Sequence, residues 1–473
     1  MTFNPGSYSF AALAHFSFVL AGLLIYAIGT HLSGQRRHPS AALAWVLTIA
    51  LLPYVGLPLY LVLGTRKFVR PQLLTQQTVT HPADGTLQGG AMATLQGMGL
   101  AAPAANHSVR FHHDGAAAWQ EFEQLATSAT SQLDICTYVL GADTTGHQLV
   151  RLLHSRTSAG VRVRLLLDAL GSWRTSGVQV RMLREAGVEV RWHMPLLRNL
   201  LSGRGNLRNH RKLTVADEQR LWTGGRNLAA EYFTGDGHST PWIDLSFTIE
   251  GPLAAQAQTL FDSHWRYSHG PTTPEKKVLQ FQELHASGPA PGIAKQHLAQ
   301  MIPSGPDQGQ DTFYGLLLTA IFRAEKSVLA VTPYFVPDEG LLTALCLAAR
   351  RGVRVELVVP ERSNHRLADL ARARALRDLA LAGGQIRLAK GMVHAKALVI
   401  DDAIALCGSL NLDSRSLFLN FELMVAFYDQ ADIDHVTQWM AANFGHLQAF
   451  TPRQASLTSD VAEGLVRWLG FQI

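Results

Sequence analysis

GVRVRLLLD, residues 160–168, returns later in the chain as GVRVELVVP, residues 352–360. Each segment alternates apolar and charged side chains and then becomes wholly apolar, which is typical of a strand inside a sheet. The neighbouring strands that we predict also repeat, over Gln132–Leu140, Lys326–Val336, Ala186–Trp192 and Ala382–Leu388. Helix-like stretches separate them. The pattern predicts an α/β protein made of two pseudo-symmetric copies of one unit, with largely parallel sheets.

Each copy ends in the same group of polar residues. A histidine, a lysine and an aspartate follow the spacing HxKx4D, and a Gly-x-x-Asn tail begins after six further residues. These residues are His210, Lys212, Asp217 and Asn227 in the first copy, and His394, Lys396, Asp401, Ser409 and Asn411 in the second. Two long matches at one spacing do not arise by chance, so we expect both motifs to serve one function.

The motif suits chemistry at a phosphorus atom. The HxK segments are strand-like, so the histidine and the lysine project from one face into one pocket. Lysine binds phosphate oxygens, and Asn227, Asn411 and Ser409 are candidates to add donors. Pseudo-symmetry would bring two histidines to one phosphorus, where one attacks and the other handles the proton. A pair of satisfied core residues is the alternative, but lysine is almost never buried without a partner.

The acidic residues allow two interpretations. Asp244 and Glu422 lie in strand-like runs, 34 and 28 residues past the motif histidines, and are candidates to orient the imidazoles. Ordinary salt bridges are the alternative. Asp217 and Asp401 join the candidate catalytic set, and capping of the strand-end turn is the alternative role for them.

We predict neither a metal nor a cofactor. The spacing matches neither HExxH nor a facial triad, and the adjacent lysine would repel a cation. Cys136, Cys346 and Cys407 lie in apolar runs without a CxxC pair, so we expect buried thiols.

The net charge of +5 is concentrated at one end of the 473-residue chain. Residues 1–70 hold five basic and no acidic side chains, and the other 403 residues hold 36 of each sign. A basic footprint over the main body is therefore missing, and we predict no nucleic-acid partner. Charged residues make up only 16% of the chain, so we expect some apolar surface to face a bilayer.

The amino-terminal end predicts two transmembrane helices, over residues of about 8–30 and 41–63. Phe10–Ile28 and Ala41–Leu63 are uncharged, and Pro53 and Pro58 would kink the second span. Three basic residues after the second span against two before it favour a cytoplasmic main body in a multi-pass inner (cytoplasmic) membrane protein. Two buried core helices are the alternative. Pro71–Asn106 has little periodicity and is typical of a linker.

The doubled motifs resemble those of the phospholipase D superfamily, and the chain is similar to bacterial cardiolipin synthases of the phospholipase D type. The similarity covers nearly the whole chain, including Pro39–Lys67, Leu165–Ser172, Thr332–Asp338 and Gly408–Ser416. It implies a membrane anchor over residues 1–70 and two phospholipase D-like domains over 107–268 and 269–473 that share one active site. The linker predicted from composition over 71–106 is not matched by this similarity.

The resemblance also implies a reaction. One motif histidine forms a covalent phosphohistidine, and Lys212, Lys396, Asn227 and Asn411 match the phosphate-binding positions. Two phosphatidylglycerols then give cardiolipin and glycerol at the bilayer. We take His210 as the nucleophile and His394 as the acid and base.

Three other interpretations stay open. A membrane-bound phospholipase D would pass the same intermediate to water, a nuclease would need a basic groove, and a scaffold would tolerate a decayed motif. The loop Met194–Leu201, with Arg204 and Arg208 nearby, is either an interfacial loop drawn to anionic lipid or a packed helix with solvated arginines.

Overall fold

The computed structural model describes residues 5–33, 39–64, 85–195, 204–235, 240–268, 296–447, 449–452 and 463. The helices are α1 (Pro5–Ser33), α2 (Pro39–Leu51), α3 (Pro53–Leu63), α4 (Leu87–Gly97), α5 (Gly115–Ser128), α6 (Thr144–Ser158), α7 (Gly177–Glu185), α8 (Pro252–Tyr267), α9 (Thr312–Arg323), α10 (Glu339–Arg350), α11 (Arg366–Ala371), α12 (Ala373–Leu381), α13 (Ser414–Phe418) and α14 (Gln430–Phe444). The strands are β1 (Ala104–Asn106), β2 (Ser108–His112), β3 (Gln132–Thr137), β4 (Arg162–Asp168), β5 (Glu189–His193), β6 (Leu213–Ala216), β7 (Arg220–Gly224), β8 (Ser246–Glu250), β9 (His297–Ser304), β10 (Ser327–Val331), β11 (Phe335–Val336), β12 (Arg354–Pro360), β13 (Gln385–Ala389), β14 (Ala397–Ile400), β15 (Ile404–Gly408), β16 (Leu412–Asp413) and β17 (Glu422–Phe427). The predicted join after residue 268 lies outside the described residues.

Two large sheets form the body, and each belongs to one copy of the repeat. The first has the strand order β2-β8-β7-β6-β3-β4-β5, and the second has β1-β9-β17-β15-β14-β10-β12-β13. The predicted α/β duplication is confirmed. The prediction of largely parallel sheets is wrong, because within these two sheets only β3-β4-β5 and β10-β12-β13 run parallel; β11 and β16 form a separate parallel pair. The strands that follow the motifs return through tight turns, which can join only antiparallel neighbours.

The repeated strand quoted first is β4 in one copy and β12 in the other, and each is the middle strand of the three parallel strands in its sheet. In β4 and β12 only the first residue is exposed, as the shift from alternating to apolar residues indicates. The predicted strand over 326–336 is divided into β10 and β11, with Pro333 between them. Proline cannot donate to a strand ladder, so the break falls there.

Three apolar clusters hold the layers together. One lies under α5, α6 and α7 of the first half, and one lies under α4, α9, α10 and α12 of the second. The third lies between the two sheets and includes Val215 and Phe247 from the first and Val399 and Phe427 from the second. This shared core fixes the two halves against each other, and thereby the two motifs.

The amino-terminal end differs from the prediction. Within the described residues one helix is long and apolar enough to cross a membrane, Ala12–Thr30 in α1, with a mean hydropathy of 2.0. The second predicted span is interrupted at Leu52, whose φ of −131° and ψ of 58° are not helical. α3 then folds back on α2, because a Cβ placed on Gly56 would lie 2.6 Å from the Thr48 carbonyl oxygen.

The second predicted span is therefore divided into two short helices, and the multi-pass topology stays a prediction. Helices α2 and α3 have 13 and 11 residues. At 1.5 Å per residue they reach about 20 Å and 17 Å, short of a hydrocarbon core of about 30 Å. Pro53 starts α3 with no N–H to donate to the preceding turn, so the apolar run forms a helical hairpin.

The predicted linker is also corrected in its second half. Helix α4 packs on α9 with Ala91 and Leu95 buried, and β1 pairs antiparallel with β9. Residues 85–106 thus belong to the second half of the body, while 71–84 lie outside the described residues. The sequence of α4 shows no clear amphipathic pattern, because Ala and Gly occupy many of its positions.

Candidate active site

The two halves exchange main-chain hydrogen bonds at the motif histidines. The His210 N–H donates to the carbonyl of Phe421 at 2.9 Å, and the His394 N–H donates to the carbonyl of Ile243 at 2.8 Å. Phe421 belongs to the second half and Ile243 to the first. Each histidine is therefore held by the backbone of the opposite half.

An acidic side chain follows each of these carbonyls and contacts the histidine ring. His210 Nδ1 lies 3.0 Å from Glu422 Oε1 and 3.1 Å from Oε2, and His394 Nδ1 lies 2.7 Å from Asp244 Oδ2. All four side chains are buried. Both acids lie with the histidines, as orienting residues must, but the structure pairs each with the histidine of the other half.

The histidines are held neutral. Burial lowers the pKa of His210 to about 4 and that of His394 to about 3, and nearby lysine charges act in the same direction. Burial acts to raise the pKa of Glu422 and Asp244, but their histidine and lysine neighbours outweigh it and lower both. A neutral ring beside a carboxylate donates from Nδ1, which leaves a lone pair on Nε2.

Two buried lysines complete the site. Lys212 Nζ donates to the His210 carbonyl at 2.6 Å, and Lys396 Nζ lies 3.0 Å from His394 Nε2. Burial lowers the pKa of Lys212 to about 7 and that of Lys396 to about 8, against the effect of the two carboxylates. Each lysine also lowers the pKa of the histidine in the other half. The two motifs therefore share one site.

The tail asparagines are buried near the motifs. Asn227 Nδ2 donates to the Tyr232 hydroxyl at 2.7 Å, and Asn411 Nδ2 donates to the Ser416 hydroxyl at 3.2 Å. Asn411 Oδ1 has no hydrogen-bond partner among the described residues. Phosphate binding by either amide stays a prediction.

Ser409 has a different role from the predicted one. Its hydroxyl donates to Glu422 Oε2 at 2.5 Å and accepts from the Leu423 N–H at 2.9 Å. The only proton of that hydroxyl is therefore used, and none is left for a phosphate oxygen. Ser409 positions Glu422 instead.

Asp217 and Asp401 do not lie with the histidines. Each follows a four-residue strand that starts just after the motif lysine, so about 13 Å separates them from the site at 3.3 Å per residue. Asp217 has φ of 51° and Asp401 has φ of 53°. The following residue is also left-handed, as in a type I′ hairpin turn, which favours aspartate and asparagine.

Both carboxylates bind the backbone at the start of a neighbouring strand. Asp217 accepts from the N–H groups of residues 130, 131 and 132 and from two hydroxyls, at 2.7 to 2.9 Å. Asp401 accepts from the N–H groups of residues 325, 326 and 327 at 2.7 Å. The predicted catalytic role of these two aspartates is corrected to turn formation and capping.

Several aromatic residues at the site could not be identified from the sequence. The Tyr138 ring centroid lies 4.9 Å from that of His210, and Tyr232 and Trp242 lie 5.0 and 5.6 Å from His394. Aromatic residues between motifs have no fixed spacing, so only the fold brings them together. Arg208 is buried, which excludes the solvated arginine considered for it, while residues 196–203 of that loop lie outside the described residues.

Arg211, in the first half, holds the main chain at Glu422, in the second half. Its Nε donates to the Glu422 carbonyl at 2.8 Å, and its Nη1 lies 2.8 Å from Asp307 Oδ2. The equivalent motif position in the second half is Ala395. The sequence marks this residue only by its place inside HRK.

A possible cation-binding group lies elsewhere. Among the described residues, His297, Asp429 and Asp432 bring one ligand atom each within 4.8 Å of one another. They lie on β9 and at the start of α14, and His297 Nδ1 is already 2.9 Å from both oxygens of Asp432. None of the motif residues belongs to this group.

Comparison with known proteins agrees with this doubled site. A family model described as "Cardiolipin synthase, PLD-like domain" matches residues 122–265 and 317–446, and one described as "Phospholipase_D-nuclease N-terminal" matches 22–64. Cardiolipin synthase A of Pseudomonas entomophila is 31% identical over 435 residues, 88% of each chain. Cardiolipin synthase A of Pseudomonas putida is 30% identical and covers 90% of this chain and 91% of its own.

A solved structure shares the fold. Phosphatidylserine synthase of Haemophilus influenzae matches 81% of this chain and 100% of its own with a TM-score of 0.61, at 14% identity. The fold and the paired motifs define a protein with two phospholipase D-like domains. The chain belongs to the cardiolipin synthase family within that class, and it is a phosphatidyltransferase.

Proposed function

We propose that this enzyme joins two phosphatidylglycerols into cardiolipin and glycerol through a covalent phosphohistidine. The observation that supports it best is the pair of neutral imidazoles, each with Nδ1 on a carboxylate and both beside one pair of lysines. Such an arrangement offers two Nε2 atoms to one phosphodiester. One can attack while the other moves a proton.

The first step cleaves the donor lipid. His210 Nε2 attacks the phosphorus and the bond from phosphorus to the glycerol oxygen breaks. His394, which takes up a proton when the phosphodiester anion binds beside it, gives that proton to the leaving alkoxide. Glu422 stabilises the cation that forms on His210 through the Nδ1 contact. Lys212 and Lys396 neutralise the phosphate oxygens.

The second step makes the product. The hydroxyl of the acceptor lipid gives its proton to His394 and attacks the phosphorus, and the phosphorus–nitrogen bond to His210 breaks. We assign proton transfer to His394 because Lys396 Nζ lies against its ring, 2.7 Å from Nδ1 and 3.0 Å from Nε2, whereas Lys212 Nζ donates to the His210 carbonyl. The lysine charges disfavour protonated His394, and the negative charge of a phosphodiester reverses that effect.

A membrane location with the body on the cytoplasmic side fits this reaction. Helix α1 is long enough to cross a bilayer. No basic residue precedes it, while Arg36, Arg37, Arg66, Lys67 and Arg70 follow it. An excess of basic residues on one flank marks the cytoplasmic side.

Product analysis tests the proposal. Purified enzyme receives vesicles of phosphatidylglycerol labelled in the head-group glycerol and, separately, in the acyl chains. We expect labelled glycerol release together with cardiolipin. Phosphatidic acid as the main lipid product would contradict the transferase reaction and favour a hydrolase.

Chelation tests the metal-free chemistry. The four motif side chains supply all the charge that the two steps need, so we expect EDTA to leave the rate of cardiolipin formation unchanged. A strict loss that one divalent cation restores would contradict the mechanism.

A further inference from the structure

Two arginines lie on the His210 side of the site. Arg208 is 4% exposed, its Nη1 donates to the Leu207 carbonyl at 2.7 Å, and its Nη2 donates to the Gly205 carbonyl. Its Nε is buried and has no hydrogen-bond partner among the described residues. A buried cation with an unused donor is costly unless an anion meets it.

Arg415 joins Arg208 from the second half. Its Nη1 and Nη2 bind the Asn206 side-chain and main-chain oxygens at 2.9 and 2.8 Å. Burial lowers the pKa of Arg415, and the Arg208 charge also lowers it. Two guanidinium groups thus act on each other in a half-buried space, which raises the local positive potential.

The two arginines lie near the proposed nucleophile. Both guanidinium charges act on the phenol of Tyr138, whose ring contacts His210. The buried acid Asp168 faces both arginines: the Arg208 charge acts to lower the pKa of its carboxyl, which also accepts three main-chain N–H groups at 2.8 to 2.9 Å. Asp413 and Glu422 also face the group, and Asp413 is bound to Ser416.

The opposite side of the site lacks the pair. The Phe421 N–H donates to the Arg208 carbonyl at 2.9 Å. On the opposite side the Ile243 N–H donates to the Met392 carbonyl at 3.0 Å. Met392 therefore occupies the position that is equivalent to Arg208. Glu231 is equivalent to Arg415 for the same reason. The N–H of residue 420 donates to the Arg415 carbonyl at 3.0 Å, and the N–H of residue 242 donates to the Glu231 carbonyl at 2.8 Å. One side therefore holds two arginines beside the carboxyls of Asp168 and Asp413, and the other holds a thioether and a carboxylate.

The arginine side lies next to the helical hairpin of α2 and α3. The Gly205 N–H donates to the Val62 carbonyl, at the end of α3, at 3.0 Å. Gly205 is also bound by Arg208. These contacts connect the arginine side of the site to the apolar amino-terminal hairpin.

We propose that Arg208 and Arg415 bind the phosphate of the acceptor lipid, while the lysine pair binds the phosphate of the donor. The inference rests on the proposed function. An acceptor phosphatidylglycerol carries its own phosphodiester anion, whereas water and simple alcohols carry none. The arginine pair thus selects an anionic acceptor and leaves formation of the phosphohistidine untouched.

The test compares two acceptors in one reaction. Vesicles of phosphatidylglycerol are given with ethanol, and cardiolipin and phosphatidylethanol are measured together for wild type, Arg208→Met and Arg415→Gln. Arg208→Met copies the residue of the opposite side, and Met392→Leu is the matched control. We expect the ratio of cardiolipin to phosphatidylethanol to fall about tenfold or more in the arginine variants, and to stay at the wild-type value in Met392→Leu.

Phosphatidylethanol reports that each variant is folded and forms the intermediate. Arg208→Lys keeps the charge, and we expect it to restore part of the ratio. An unchanged ratio, or a parallel fall of both products, would overturn the acceptor site while leaving the proposed function intact. A wild type that makes neither product from phosphatidylglycerol would overturn the proposed function itself.

Discussion

The His210 side and the His394 side of the site hold the same reacting groups in different settings. Glu422 is the acid on the first side and accepts the Ser409 hydroxyl at 2.5 Å. Asp244 is the acid on the second side, where Gly225 replaces the serine. The shorter acid sits closer to its imidazole, at 2.7 Å against 3.0 Å.

The wider surroundings differ more than the reacting groups. The first side is cationic, with Arg208 and Arg415, and the second is aromatic, with Tyr232 and Trp242 against the ring. Duplication supplies the groups that must come in pairs, two imidazoles and two lysines. In the mechanism that we propose, divergence around them assigns attack to one imidazole and proton transfer to the other, and separates the sites of the two lipids.

The largest expected effect comes from removing either histidine. We expect His210→Ala and His394→Ala each to lower the rate of cardiolipin formation by about 10⁴-fold or more, as for residues that act as a unit. Steady-state product formation from phosphatidylglycerol vesicles measures the loss. Near-wild-type activity in either variant would contradict a shared site.

An activated donor distinguishes the two histidines. A phosphatidyl ester of p-nitrophenol needs no acid to release its leaving group. His394→Ala should therefore still form a trapped phosphatidyl-enzyme from it, and His210→Ala should not. Trapping in His210→Ala alone would reverse the assignment of nucleophile and acid.

The crosswise acids give the next largest effect. We expect Glu422→Gln and Asp244→Asn each to lower kcat by about 10²- to 10⁴-fold, because the imidazole loses its orientation and its counter-charge. With the activated donor, Glu422→Gln should slow formation of the intermediate and Asp244→Asn should slow its breakdown. The opposite pattern would show that each acid serves the histidine of its own half.

Substitutions at the equivalent positions Ser409 and Gly225 sharpen the comparison of the two sides. Ser409→Gly removes one hydrogen bond to Glu422, and we expect kcat to fall about tenfold. Gly225→Ala should be worse, because a Cβ at this position overlaps Asp244 Oδ1. Presteady-state measurement of both steps separates the effects, and equal losses in the two variants would contradict the asymmetry.

The lysines predict a loss of kcat/KM at alkaline pH. Charged lysine binds phosphate, and burial lowers the pKa of Lys212 to about 7 and that of Lys396 to about 8, so the charged form is lost as pH rises through this range. His210 must be neutral to attack, and its pKa of about 4 keeps it so throughout this range. Arginine keeps its charge, so Lys212→Arg should flatten the first part of the alkaline fall and Lys396→Arg the second. A profile that is unchanged in both variants would contradict this assignment.

The motif histidines and lysines can be found in the sequence because their spacing is local. HxK places two side chains on one face of a strand, and the duplication doubles them, which is visible without a fold. The crosswise pairing of Asp244 and Glu422 depends on how two sheets meet across an apolar core, and no local pattern encodes it. The error at Leu52 has a similar cause, because hydropathy measures the length of an apolar run and not where it folds back.

The smallest effect on rate is expected from the motif aspartates. Asp217→Asn keeps a residue that tolerates the left-handed turn but places an amide against N–H donors, so we expect the free energy of unfolding to fall by about 1–2 kcal/mol with kcat unchanged. Asp217 accepts five hydrogen bonds and Asp401 accepts three, so Asp401→Asn should cost less. Denaturant unfolding in detergent, beside turnover at saturating lipid, measures both quantities. A large loss of kcat at wild-type stability would show that these aspartates take part in catalysis. The aspartate of HxKx4D would then be needed for the reaction, like the histidine and the lysine.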